Sequence, residues 1–390
     1  MLDIQKDKCC GCGACFQVCP AKCIEMISDF DGFKYPMIDK KKCIDCGRCN
    51  SICPTNNVPL EQIHLGYYCA KAKSCKYFGV SSSGAVFAEL SEYVLKQKGV
   101  VFGAAFNERF ELGHVSITSI DALPNLLGSK YLQSDTRNTY NEVKEYLKKG
   151  SLVMYCGTPC QIHGLKRYLG TRMASLDKLI LVDFVCHGVP SPKLWKKYLQ
   201  YREGMANSKL QKVNFREKKN GWAAYAMFMQ FENGTQYLVD RDKDMYLSLF
   251  INGYTLRDSC YKCEFKVDKH ASDLTIADFW QVKKVFPDLD SKDGISLVFI
   301  NTEKGQSIFE SIKKELSVVE ITREKALLDN KSAKYNPIKS PKRNKIYKNI
   351  DKNSDFEKIY KMGKLSFFRR AIRYMKKCKA VLKINIMRNN

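Results

Sequence analysis

Two cysteine runs carry the clearest chemistry in this sequence. Cys9, Cys12, Cys15 and Cys19-Pro20 form the first. Cys43, Cys46, Cys49 and Cys53-Pro54 repeat it 34 residues later. Each run reads C-x2-C-x2-C-x3-C-P. Three closely spaced thiolates can wrap one face of a 4Fe–4S cubane, and in two-cluster ferredoxins the fourth Cys of each run ligates the other cluster. On that rule Cys9, Cys12, Cys15 and Cys53 hold one cluster, and Cys43, Cys46, Cys49 and Cys19 the other. Gly11, Gly13 and Gly47 let the backbone bend tightly enough for amides to reach the sulfurs. Isolated C-x2-C pairs also suit tetrahedral zinc, but two complete runs with trailing prolines favour clusters. Cys10 and Cys23 fall outside the pattern and are expected to be packing residues.

Ten of the eighteen cysteines lie beyond these eight ligands. Five of them stand in short motifs: Cys156 and Cys160 in Tyr155-Cys156-Gly157-Thr158-Pro159-Cys160-Gln161, Cys186 in Cys186-His187-Gly188, and Cys260 with Cys263. Four of the five could ligate a third cluster if a sheet brought their loops together. Against this, buried cysteines are often inert.

The elements that must position these residues alternate between helix and strand. Ala85 to Lys98 has helical periodicity, and Val100-Val101-Phe102 reads as a buried strand. Asn141 to Lys149 and Leu165 to Leu169 are helical, while Leu152 to Tyr155 and Leu179 to Val185 are strand-like. Phe228 to Val239 reads as a hairpin around Asn233-Gly234. Leu274 to Phe279 and Ile295 to Ile300 are further strands, and Ser307 to Leu316 a late helix. The pattern predicts an α+β or α/β chain. A bacterial-type two-cluster ferredoxin domain is followed by a mixed-sheet body with covering helices and a basic helical C-terminal tail. The expected boundaries are 1–62 for the ferredoxin domain, 66–150 and 151–325 for two parts of the body, and 331–390 for the tail. The tail is expected to be loosely packed to about residue 354, with an amphipathic helix over 364–387.

Composition narrows the classes. The chain has 390 residues, 45% hydrophobic and 27% charged, which excludes a disordered protein. No apolar run approaches the roughly 18–20 residues that span a bilayer. The start has no apolar signal segment, so eighteen cysteines predict a cytoplasmic redox or metal protein rather than a disulfide scaffold. Net charge is +24, but residues 331–390 alone contribute +16. The basic character belongs mostly to the tail, which speaks against specific nucleic-acid recognition by the body.

Several stretches resemble the beta-subunit family of coenzyme F420-reducing hydrogenases and dehydrogenases, which includes 7-hydroxymethyl chlorophyll a reductase. They are Ser81-Ser82-Ser83-Gly84, Gly128-Ser129-Lys130-Tyr131-Leu132-Gln133-Ser134, and Gly157-Thr158-Pro159-Cys160-Gln161 through Leu165. Further on come Cys186-His187-Gly188-Val189-Pro190-Ser191-Pro192, Asn214-Phe215-Arg216, and Cys260-Tyr261-Lys262-Cys263 followed by Ala277-Asp278-Phe279-Trp280. The resemblance covers about residues 1–320. It implies an iron–sulfur flavoprotein oxidoreductase with FAD between the clusters and a reducible substrate. It also implies a third 4Fe–4S cluster at Cys160, Cys186, Cys260 and Cys263. Coenzyme F420 itself does not follow from it. Bacterial relatives near surface-polysaccharide genes make a sugar- or lipid-linked substrate plausible by analogy.

No G-x-G-x-x-G fingerprint marks a flavin site. The candidates from the resemblance are Ser82, Ser83, Gly84, Ser129, Lys130, Tyr131, Gln133, Gly157, Thr158 and Gln161. The serines precede a helix and could hold a phosphate or merely cap it. Lys130 could neutralise a pyrophosphate or stay solvated. His187 could pass a proton to flavin or substrate, or only bond a loop. The expected partner is a ferredoxin or another redox protein. The basic tail could place the chain peripherally at an anionic inner membrane surface. An alternative reading is an electron-transfer subunit with no substrate site of its own.

Overall fold

The structure, a computed structural model, describes residues 4–173, 175–328, 330–352 and 355–363. The amphipathic helix expected over 364–387 lies outside these residues. Among the described residues there are thirteen strands: β1 (Ile24–Ser28), β2 (Lys34–Ile38), β3 (Gly66–Ala72), β4 (Val100–Phe106), β5 (Leu112–Ile117), β6 (Val153–Gly157), β7 (Leu179–Phe184), β8 (Leu210–Glu217), β9 (Ala226–Phe231), β10 (Gln236–Asp240), β11 (Leu274–Asp278), β12 (Ser296–Ile300) and β13 (Leu316–Glu320).

Eight of them form one sheet in the order β13-β3-β12-β11-β7-β6-β4-β5. Its middle is parallel: β4 with β6, β6 with β7, and β7 with β11. The outer pairings are antiparallel. β7 and β12 are near-continuous apolar runs because both faces of the sheet are covered. One face carries Val101, Met154, Ile180, Val182 and Val298 against the helices Val86–Lys96 and Glu303–Lys313. The other carries Val100, Phe102, Val153, Tyr155, Leu179 and Leu181 against the helices Thr139–Lys148 and Pro159–Leu169. The alternation follows from the two-residue period of a strand. Strands from both sides of the expected 150/151 boundary build this sheet, so the two parts of the body share one core.

The ferredoxin region packs on the second face. Cys12 and Ala14 belong to that cluster of buried side chains. Its internal repeat is visible in the backbone. Gly13 (φ 75°) and Gly47 (φ 69°) each open a short helix, Ala14–Val18 and Arg48–Ser51, in the left-handed region. Gly11 has φ +70°, and its repeat partner Asp45 has φ 48°.

A second core gathers β8–β10, the helices Pro192–Ala206 and Met245–Ile251, and Phe33 from the ferredoxin hairpin. The C-terminal segment also enters it, against the expectation of a loose tail. Helices Pro341–Asn349 and Phe356–Gly363 bury Ile346, Tyr347, Ile350, Phe356 and Ile359 at 0–1% exposure. Lys, Asn and Pro dominate the composition there, yet these few apolar residues fall at helical spacing and suffice to fix the segment. Arg343 adds a bond to Leu256 O (2.7 Å) and an ion pair with Asp31 (2.9 Å), clamping the hairpin to the body. Among the described residues no helix is long and apolar enough to cross a membrane.

Candidate functional site

The first set of cluster cysteines is turned inward. Cys9, Cys12 and Cys53 are buried, and Cys15 lies close enough for Cys9 and Cys53 to influence its thiol. Burial pushes the Cys15 thiol up to about 12. The second set lines a small surface cleft: Cys19, Cys43, Cys46 and Cys49 surround it, together with Cys23. Cys46 is exposed. Both groupings are the ones the crossed-ligand rule requires. Cys23 is buried beside this set, its sulfur 3.4 Å from that of Cys19.

The parallel strands deliver the remaining cysteines to one place. β6 ends at Gly157 and leads to Cys160, and β7 ends at Phe184 and leads to Cys186. A short helical turn, Asp258–Lys262, carries Cys260 and ends at Cys263. Cys160, Cys186, Cys260 and Cys263 act on one another electrostatically. Cys156 stands apart from them on the same wall: the charged groups that influence its thiol are Asp183 and Lys130. Of the five candidates, therefore, four converge. Burial raises the Cys186 thiol to about 12 and the Cys263 thiol to about 11. Such thiols stay protonated until a metal's charge converts them to thiolates. Among the described residues no three His, Cys, Asp or Glu side chains gather tightly enough for a single metal ion. A cubane spreads its four sulfurs further apart than one zinc ion would.

These cysteines line a cavity of about 750 Å³ at the carboxyl ends of the parallel strands. That is where open α/β sheets bind ligands, and the volume is of cofactor size. Ser82, Ser83, Ser129, Lys130, Tyr131, Gln133, Gly157, Thr158, Gln161 and His187 all reach its wall. Gly84 does not. It packs against the strand backbone, where a Cβ would stand 2.4 Å from Ala70 O.

Several candidates already have partners. Ser82 and Ser129 bond each other through their hydroxyls (2.7 Å), tying two motifs together. Thr158 and Gln161 form a capping box on the helix Pro159–Leu169. Gln133 bridges to the ferredoxin loop, donating to Cys10 O at 3.0 Å. Lys130 donates to the carbonyls of Leu126, Leu127 and Gly128 at 2.9–3.2 Å, and burial lowers its pKa to about 7. Its ammonium is engaged with backbone rather than poised in solvent for a phosphate. His187 lies edge-on to Phe250 with its Nδ1 3.4 Å from Ser332 Oγ, and burial lowers its pKa, so the ring is neutral at pH 7.

Three features went unassigned in the sequence. Arg216 is buried and bonds Asp278 through both terminal nitrogens (2.9 and 3.2 Å) and Ser82 O (3.1 Å). Its guanidinium lies over Tyr225 and Trp280, which line the cavity. Asn214-Phe215-Arg216 and Asp278-Phe279-Trp280 were visible as motifs, but nothing local says that they meet. Cys10 also lines the cavity, and its thiol bonds those of Cys12 and Cys160. It joins the first cysteine set to the third and is not mere packing. Arg257 bonds the Cys9 loop from within the body.

Residues 150–324 match the family model for the C terminus of the coenzyme F420 hydrogenase/dehydrogenase beta subunit. Residues 8–57 match the 4Fe-4S dicluster domain. Among solved structures, a chain of the xenon-derivatised F420-reducing NiFe hydrogenase complex from Methanosarcina barkeri is similar at TM-score 0.46. The identity is 16%, over 66% of this chain and 83% of that chain. No curated protein matches.

Proposed function

The chain belongs to the coenzyme F420 hydrogenase/dehydrogenase beta-subunit family, and on that premise we propose an iron–sulfur flavoprotein oxidoreductase. The observation that carries this reading is three groupings of cysteines, the last of which lines the cavity. They are the solvent-facing set around Cys46, the inward set of Cys9, Cys12, Cys15 and Cys53, and the set of Cys160, Cys186, Cys260 and Cys263, with Cys10 near Cys12 and Cys160.

Each set could supply four thiols to a 4Fe–4S cluster, and clusters held there would let the ferredoxin region pass single electrons to or from the cavity. A bound FAD supplies the exchange between single electrons and a hydride equivalent. The protein's own part is to hold and enclose. Ser82 and Ser129 join two loops over the cavity, and Arg216 ties Ser82 to Asp278 beneath Trp280. His187, half-buried beside the third cysteine set and neutral, is placed to take up a proton and pass it on.

A second reading keeps the relay but gives the cavity no substrate. Leu60 and Ile63 are 89% and 90% exposed on the segment after the ferredoxin region, apolar surface that a catalytic partner would cover. Stable co-purification with such a partner and no turnover alone would favour it.

The test is anaerobic purification with iron, acid-labile sulfide and flavin counted per chain. About twelve irons and one FAD support the flavoenzyme. About eight irons and no flavin after reconstitution would confine the metal to residues 9–53 and leave the electron relay alone.

A further inference from the structure

Arg257 has 0% exposure. A buried cation needs an anion or a full set of acceptors. Its Nε donates to Cys9 O at 2.7 Å. One terminal nitrogen donates to Gln133 Oε1 at 2.9 Å, and the other to Lys34 O at 2.9 Å and to Cys9 Sγ at 3.6 Å. The guanidinium also lies 4.1 Å from the centre of the Tyr35 ring. None of these partners is a carboxylate. The chain even makes room for the contact: Gly11 passes so close that a Cβ would stand 2.9 Å from Arg257 Cζ.

We propose that Arg257 is the counter-charge of the cluster held by Cys9, Cys12, Cys15 and Cys53, and that its hydrogen bond to the Cys9 sulfur raises that cluster's reduction potential. The proposal rests on the cluster reading given above. Reduction adds an electron to a cluster, and a fixed positive charge in a buried site favours the more negative form. The charge-assisted N–H to sulfur bond adds to this. The second cysteine set stands by the exposed Cys46 in a surface cleft and faces water. Arg257 is thus a positioning and potential-setting residue. It comes from the body, on the loop that also carries Cys260, so the relay is tuned only when the two parts of the chain are docked.

The test uses the full chain, reconstituted anaerobically, counted for iron and labelled with ¹⁵N only in arginine guanidinium groups. Pulsed EPR of the reduced protein should show a ¹⁵N coupling at one ferredoxin-type cluster, lost in Arg257→Lys. In Arg257→Gln the midpoint potential of that same cluster should fall while that of the other stays put. Clusters present without guanidinium coupling in the wild type overturn the proposal and leave the cluster reading standing. A chain without iron defeats the cluster reading itself. If Arg257→Gln cannot hold iron, the labelled wild type still decides.

Discussion

Gly164 lies directly beneath Cys12, so close that a Cβ on the glycine would stand 3.0 Å from the cysteine sulfur. The same Cβ would meet Cys12 Cβ and Tyr140 Oη at 3.2 Å. Gly164 belongs to the helix that starts beside Cys160, so this contact sets how near the first cysteine set comes to the third. Gly164→Ala should push the ferredoxin loop away from the body and cost about 1–3 kcal/mol, the usual range for overpacking. Urea unfolding and iron retention measure it. A midpoint equal to wild type would mean that the interface gives way freely.

The convergence of four cysteines, but not Cys156, predicts a contrast between neighbours. Cys160→Ala should lower the iron content by roughly four per chain, one cubane. Cys156→Ala should leave it unchanged. Iron and sulfide analysis reads both, and equal losses would return all five cysteines to the status of candidates.

The packed C-terminal segment should matter for stability. Ile346 is fully buried in the second core, so Ile346→Ala should cost about 2–5 kcal/mol. An unchanged unfolding midpoint would restore the loose tail that the composition suggests.

Lys130 gives the chain a pH dependence of defined sign. Burial lowers its folded pKa to about 7, whereas an unfolded lysine titrates near 10.4. Between these values the unfolded chain binds a proton that the folded chain does not, so stability rises with pH through that window and is flat below it. The slope is at most about 1.4 kcal/mol per pH unit, less for the part of the side chain that water reaches. Comparing wild type with Lys130→Met from pH 7 to 10 isolates it. Parallel curves would show that the lysine keeps its proton.

Local information was legible in the chain. Ligand spacing in a ferredoxin run is short-range geometry, so the 4Fe-4S dicluster domain could be read from the cysteine repeat. Periodicity likewise located β4, β6, β7, β11 and β12 and the helices that cover them. What meets across distance follows from folding alone. Chain order cannot say that Cys186 and Cys260 share a wall with Cys160, that Cys10 links two cysteine sets, or that Arg216 reaches Asp278. Nor does composition reveal that Ile346 and Tyr347 enter a core built mainly from residues between Phe33 and Leu249. Parallel pairing gathers the ends of β6, β7 and β11 at one edge of the sheet, and long connections bring the rest. Burial and charge depend on neighbours in space, and those neighbours are chosen by the whole sheet rather than by any one segment.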